Sequence, residues 1–173
     1  LGYSIPGAVI AVGIITVFIK TDNFLFGFYE AIGKEPMLFL STSLFMLISA
    51  YVIRFLAVGF NAIESGFEKI GNKYTEVSRM LGMGLTKTFF KVDFRLIKGA
   101  VLSGFILAFI EIIKELPLTL ILRPFNFDTL STKAFQYASD EQIHEASLPS
   151  IIIVIISGIA IYVFQQLLEK EPK

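Results

Sequence analysis

Four apolar runs separated by charged segments set the pattern of this chain. Leu1 to Ile19 carries no charge and ends at Lys20 and Asp22; Met37 to Phe60 carries only Arg54. Leu96 to Ile113 is interrupted by Lys98 and Glu111 and extends through Lys114 and Glu115, while Ala146 to Leu168 is uncharged throughout. A helix that crosses a bilayer needs about 20 mainly apolar residues at 1.5 Å each. Runs at about 1–19, 37–60, 96–115 and 146–168 therefore predict four spans. The expected fold is an all-α, polytopic transmembrane helical bundle, with residues 1–173 forming one transmembrane domain.

The connecting segments differ in charge. The segment 61–95, with Lys98 just beyond it, holds Lys69, Lys73, Arg79, Lys87, Lys91 and Arg95. The segment 20–36 has Lys20 and Lys34, and the segment 116–145, together with Lys114, has three basic residues. Basic residues concentrate in cytoplasmic loops, so 61–95 is assigned to the cytoplasm and 20–36 and 116–145 to the outside. Both chain ends then lie inside, in keeping with Lys170 and Lys173 in the tail. Phe24, Phe26, Phe28 and Tyr29 suit the outer interface. Pro6 loses no helical bond if it occupies the first turn of its span. The turn-rich stretch Arg123 to Thr129 should leave the bilayer, with Asp128 or Ser131 capping a short amphipathic helix that ends near Ser139.

Composition strengthens the membrane reading. Hydrophobic residues make up 54% of the chain, with 18 Phe and no Trp, and the mean hydropathy is +0.71. The formal net charge is zero, which gives no reason to expect a nucleic-acid partner. Without cysteine there is no disulfide framework, thiolate metal site or cysteine nucleophile. The first run lacks a basic flank and a small-residue cleavage site, so no signal peptide is expected and the chain is read as part of a longer polytopic protein. No Gly-Lys-Ser/Thr phosphate loop is present, so ATP would have to be handled elsewhere.

Two segments carry candidate chemistry. Asn72 to Gly82 predicts one short helix with Tyr74, Val77 and Leu81 at helical spacing, ended by Gly82 and Gly84. A second helical stretch starts near Thr86 and leads into the third span. Such a basic amphipathic loop suits docking on a soluble partner, and equally suits a membrane surface. In the third span Glu111 and Glu115 are four apart and share a helix face, with Lys114 three from Glu111. The stripe continues through Ala108, Gly104 and Ala100, small residues that let helices approach closely. Ionisable groups at membrane depth mark translocation paths. The structural alternative pairs Lys114 with Glu111 and leaves Glu115 at the interface. Pro117 removes the bond to the Ile113 carbonyl and bends Leu118 to Leu122 off the span axis. Arg54 fits either snorkelling to the cytoplasmic face or an ion pair inside the bundle. His144, among acidic residues in a polar loop, reads as a surface residue.

The docking loop resembles that of permease subunits of binding-protein-dependent ABC importers. Their pattern is E-A-A, a glycine, nine residues, then I-x-L-P. Here it reads Glu76-Val77-Ser78, Gly82, nine residues, then Val92-Asp93-Phe94-Arg95, with Arg95 where the pattern has proline. The stretch from Lys114 is similar to the iron(III) branch of the family. Lys114-Glu115-Leu116-Pro117, Thr119-Leu120, Leu122-Arg123-Pro124-Phe125, Phe127-Asp128-Thr129-Leu130, Thr132, Ala138-Ser139, Glu145-Ala146 and Leu148-Pro149 all match. Tyr3, Pro6-Gly7, Val9 and Arg54-Phe55-Leu56-Ala57 fit as well.

The resemblance implies a multi-pass protein of the bacterial inner membrane, the C-terminal half of a fused permease. It would not be an enzyme itself and would bind no cofactor, with ATP held by a separate ATP-binding cassette subunit. Glu76, Val77, Ser78, Leu81 and Gly82 would contact that subunit. Glu111, Lys114 and Glu115 are translocation-path candidates. Arg123 and Asp128 are outer-loop candidates placed to meet an extracytoplasmic substrate-binding protein. The remaining partners implied are the other permease half and the lipid bilayer. Ferric ion, a hard cation, favours oxygen ligands, but a path must release its cargo, so the glutamates are not read as a metal site. Another solute such as thiamine, or a secondary carrier or channel using Glu111 and Glu115, stays open.

Overall fold

A computed structural model describes residues 5–31 and 40–169. These residues form only helices: α1 (Gly7–Ala31), α2 (Leu44–Ile70), α3 (Lys73–Met80), α4 (Leu85–Thr88), a π-helical turn (Phe89–Asp93), α5 (Phe94–Ile113), α6 (Pro117–Leu122), α7 (Leu130–Ser139) and α8 (Ile143–Glu169). Among the described residues, four stretches are long and apolar enough to cross a membrane: Gly7–Phe26, Leu44–Ile70, Leu85–Ile113 and Ile143–Gln166. Their surfaces are studded with exposed Val, Ile, Leu and Phe, as a lipid-facing bundle requires and a water-facing one avoids.

The helices start and stop for local reasons. The Pro6 carbonyl accepts the N–H groups of Val9 and Ile10 at 3.0 and 3.2 Å, so proline sits just before α1 and interrupts nothing. The charges at Lys20 and Asp22 do not end the first span as expected: α1 continues to Ala31. Asp22 is tolerated there because it is buried against donors. Its carboxylate accepts the N–H of Leu40 at 3.0 Å and of Ser41 at 2.7 Å, and also the Ser41 hydroxyl. A carboxylate satisfied in this way closes the turn into α2. The expected outer loop 20–36 is thus helical as far as Ala31, and Lys34 lies outside the described residues.

Helix α2 runs to Ile70, ten residues past the expected end at Phe60. Gly71, at φ +66°, then turns the chain into α3. The short helix before α8 is capped by neither Asp128 nor Ser131. Thr129 does it: its hydroxyl accepts the Thr132 N–H, and the Thr132 hydroxyl accepts the Thr129 N–H in return. This reciprocal box satisfies two otherwise orphaned donors.

The chain divides into two compact units, Leu1–Ala57 with Glu111–Ile156, and Val58–Ile110 with Ser157–Lys173. The core of the first is Ala11 and Ile14 from α1, Met46, Leu47 and Ala50 from α2, and Leu118 and Leu122 from α6. Spacings of three and four put each set on one helix face. In the second unit α2 and α5 meet through small residues. A Cβ built on Gly66 would fall 2.4 Å from the Ala100 Cβ, and one on Gly104 would fall 2.9 Å from the Gly59 carbonyl oxygen. Ala100 and Gly104 therefore sit at a close approach of two helices, as expected from their small size and four-residue spacing.

Candidate functional site

The predicted docking loop is a built element. Helix α3 ends in a Schellman motif: the Gly82 N–H reaches the Arg79 carbonyl at 2.9 Å and the Met83 N–H reaches the Ser78 carbonyl at 3.2 Å. Gly82 adopts φ +83°, the left-handed conformation this motif demands. Two side-chain bonds seat α3 on the next turns. The Ser78 hydroxyl donates to the Thr75 carbonyl at 2.9 Å and is hydrogen-bonded to the Thr88 hydroxyl at 3.0 Å, and Thr75 donates to Asp93 at 2.7 Å. Beside them lies an open hollow of about 420 Å³ lined by Thr75, Leu85, Thr86, Thr88, Phe89 and Asp93.

Above this polar base the loop presents an apolar surface. Val77 is 56% exposed, Leu81 78% and Met80 87%, with Tyr74 and Leu85 alongside. Glu76 and Gly82 are exposed too. Ser78 is the exception among the five expected contact residues: it is 5% exposed and faces inward. It holds the helix in place instead of offering it to a partner.

At the other candidate site, α5 stops at Ile113 and Lys114 is a turn residue. The expected single face carrying Glu111 and Glu115 is therefore broken between them. Glu111 pairs with Lys114 at 2.7 Å, partly exposed. Glu115, 8% exposed, turns toward Arg54 on α2, whose Nε lies 3.2 Å from its Oε2. Arg54 also donates through Nη1 to the Ile5 carbonyl at 3.0 Å and stacks over the buried Phe55 ring at 5.6 Å. Of the two readings of Arg54, the ion pair inside the bundle is the one observed; it lies in the first half of α2, out of reach of that helix's far end.

Pro117 begins α6, as its missing N–H permits. The other Glu115 oxygen accepts the Leu118 N–H at 3.2 Å. The Glu115 backbone carbonyl accepts the Thr119 and Ser131 hydroxyls at 3.0 and 2.8 Å. Thr119 in turn is hydrogen-bonded to the Tyr51 hydroxyl at 2.6 Å. Tyr51, Thr119 and Ser131 carry no sequence signal of this role; the lone arginine in an apolar span was the one clue that a counter-charge was needed.

Arg123 and Asp128 pair with each other, and Lys133 joins them at 3.0 Å from Asp128. They staple a turn whose tip is the fully exposed Phe125, followed by Asn126 at φ +60°. His144 is exposed at the start of α8, as expected.

Four long apolar helices, a short helix seated by hydrogen bonds on the turns after it and a charge pair beside a helix break describe a multi-pass membrane protein. The whole chain, residues 1–173, matches the family described as the binding-protein-dependent transport system inner membrane component, and it belongs to that family. Among its relatives is the Fe(3+)-transport system permease protein FbpB 2 of Haemophilus influenzae, 24% identical over 164 residues, covering 95% of this chain and 29% of the relative. Another is the molybdate/tungstate transport system permease protein WtpB of Methanocaldococcus jannaschii, 33% identical over 76 residues, covering 44% of this chain and 30% of the relative. The chain thus spans under a third of the length of these curated relatives. No solved structure matches it significantly.

Proposed function

We propose that this chain forms part of the membrane-spanning permease of an ATP-driven importer whose cargo is ferric ion. ATP is bound and hydrolysed by a partner cassette subunit, and an extracytoplasmic binding protein delivers the cargo. The observation that carries the reading is helix α3: within a family of binding-protein-dependent transport components, it presents Val77, Met80 and Leu81 on a hydrogen-bonded base. A short rigid helix can pass a rigid-body displacement from a docked subunit to the spans, as alternating access requires. Glu76, Val77, Leu81 and Gly82 contact the cassette subunit, Glu111 and Lys114 flank the path, and the Arg123–Asp128 turn meets the binding protein.

The cargo reading is supported by the ferric relative, whose alignment covers nearly the whole chain. The molybdate/tungstate relative favours an oxyanion as the second reading. The test uses the full-length permease with its cassette subunit in proteoliposomes, ATP inside and ferric-loaded binding protein outside. ATP-dependent uptake of radioactive iron is expected. Hydrolysis stimulated only by an oxyanion-loaded binding protein keeps the class and overturns the cargo, and uptake driven by an ion gradient without ATP overturns the class. Gly82→Ala combined with Glu76→Lys is expected to abolish stimulated hydrolysis; intact coupling in that double variant would sink the role of α3.

A further inference from the structure

We propose that Arg54 and Glu115 form a charge latch that seats helix α6, and that both are positioning residues for transport instead of ligands for cargo. The proposal assigns Arg54 a role and removes Glu115 from the path. It starts from how fully Glu115 is committed. One carboxylate oxygen accepts the Leu118 N–H, the other faces Arg54, and the backbone carbonyl takes two hydroxyls. No carboxylate oxygen is left over for a ferric ion. Glu111, by contrast, has a partly exposed carboxylate whose partner Lys114 is 54% exposed.

Glu115 ties together several segments around the helix break, through its carboxylate and its backbone carbonyl. Through Arg54 it reaches α2 and the Ile5 carbonyl just before α1; through Leu118 and Thr119 it holds α6; through Ser131 it holds α7. Gly7 makes the closure possible, because a Cβ there would fall 2.8 Å from Glu115 Oε1 and 2.9 Å from Arg54 Nη1. The helical hydrogen-bond ladder is interrupted between α5 and α6, since α5 ends at Ile113 and Pro117 lacks an N–H. Its seat therefore consists of this latch, the Thr119 hydroxyl's bonds to Tyr51 and the Glu115 carbonyl, and the apolar cluster of Leu118 and Leu122 with Ala11, Ile14 and Ala50.

The pair is built to be made or broken. A buried ion pair adds little stability over an apolar substitute, yet losing one partner leaves an uncompensated charge. This pair is also imperfect: Arg54 Nε, though 3.2 Å from the carboxylate, makes no hydrogen bond of acceptable geometry. A charge pair that holds a short helix beyond a break in the span is the kind of element a transport cycle can bias between seated and released.

The first arm of the test needs no cargo. Ala50, fully buried under α6, is changed to Cys in the full-length permease freed of other cysteines, and its rate of maleimide labelling is measured in membranes. R54Q and E115Q are each expected to raise that rate by about tenfold or more, the double variant by no more than either alone, and R54K, which keeps the charge, by less than about twofold. Labelling of R54Q and E115Q at the parent rate would overturn the latch. So would R54K labelling as fast as R54Q, and this comparison still decides if E115Q does not insert. The second arm rests on the importer reading and measures uptake in proteoliposomes. A positioning pair lowers the maximal rate in R54Q and E115Q together and leaves the half-saturating concentration of loaded binding protein unchanged. A rise in half-saturation in E115Q alone would make Glu115 a cargo ligand. Because labelling needs neither ATP nor iron, a wrong cargo assignment leaves the first arm intact.

Discussion

Replacing Gly66 by alanine puts a Cβ 2.4 Å from the Ala100 Cβ, about 1 Å short of ordinary contact. Both atoms are fixed to helix backbone, so no side-chain rotation relieves the overlap, and α2 and α5 must part or slide. Overpacking of this kind costs about 1–3 kcal/mol. Against it stands the intrinsic gain of alanine over glycine in a helix, about 0.5–1 kcal/mol. Gly59, on the same helix, isolates the two effects, because a Cβ there meets nothing within 4 Å. Gly59→Ala should hold or gain stability, Gly66→Ala should lose it, and the gap between them should be about 1–3 kcal/mol, the packing term alone. Reversible unfolding of the full-length permease in mixed micelles, followed by helical circular dichroism, measures both variants under one condition. Gly66→Ala equal to or more stable than Gly59→Ala would refute the close approach of the two helices.

Three other outcomes follow from the contacts described. Ser78→Ala deprives the buried Thr88 hydroxyl of its hydrogen-bond partner; a cost of about 1–3 kcal/mol should loosen α3, seen as faster amide exchange over 73–80 and, on the importer reading, weaker stimulation of the cassette subunit. Thr129→Ala removes the capping box of α7 and should destabilise that helix by about 1 kcal/mol, read as increased exchange at Leu130 to Lys133 without change in α3. Leu47→Ala empties a 2% exposed site in the first unit's core and should cost about 2–5 kcal/mol, measured by the same unfolding assay; a loss under about 1 kcal/mol would mean that the α1–α2–α6 core is not close-packed.

The four spanning helices, the short helix α3 and the break at Pro117 were legible in the sequence because each depends on local properties. An uncharged run of bilayer length has few alternatives to a helix. Gly82 ends α3 because its backbone alone enters the left-handed region without strain, and proline starts α6 because it cannot continue α5. Span ends were less legible. Lys20 and Asp22 looked like a stop, yet α1 passes through both, since the donors that satisfy Asp22 come from Leu40 and Ser41, distant in sequence.

What only the tertiary structure decided is which faces meet. The sequence by itself determined that Arg54 and Glu115 were charges in apolar surroundings and that Gly66, Ala100 and Gly104 were small. It did not determine that Arg54 would pair with Glu115, that Ser78 would turn inward to Thr88, or that Gly66 and Gly59 would be the partners of Ala100 and Gly104. Hydropathy and helical period are sums over neighbouring residues. Charge pairing and close approach depend on the azimuth and depth at which separate helices touch, and these emerge only when the helices pack together.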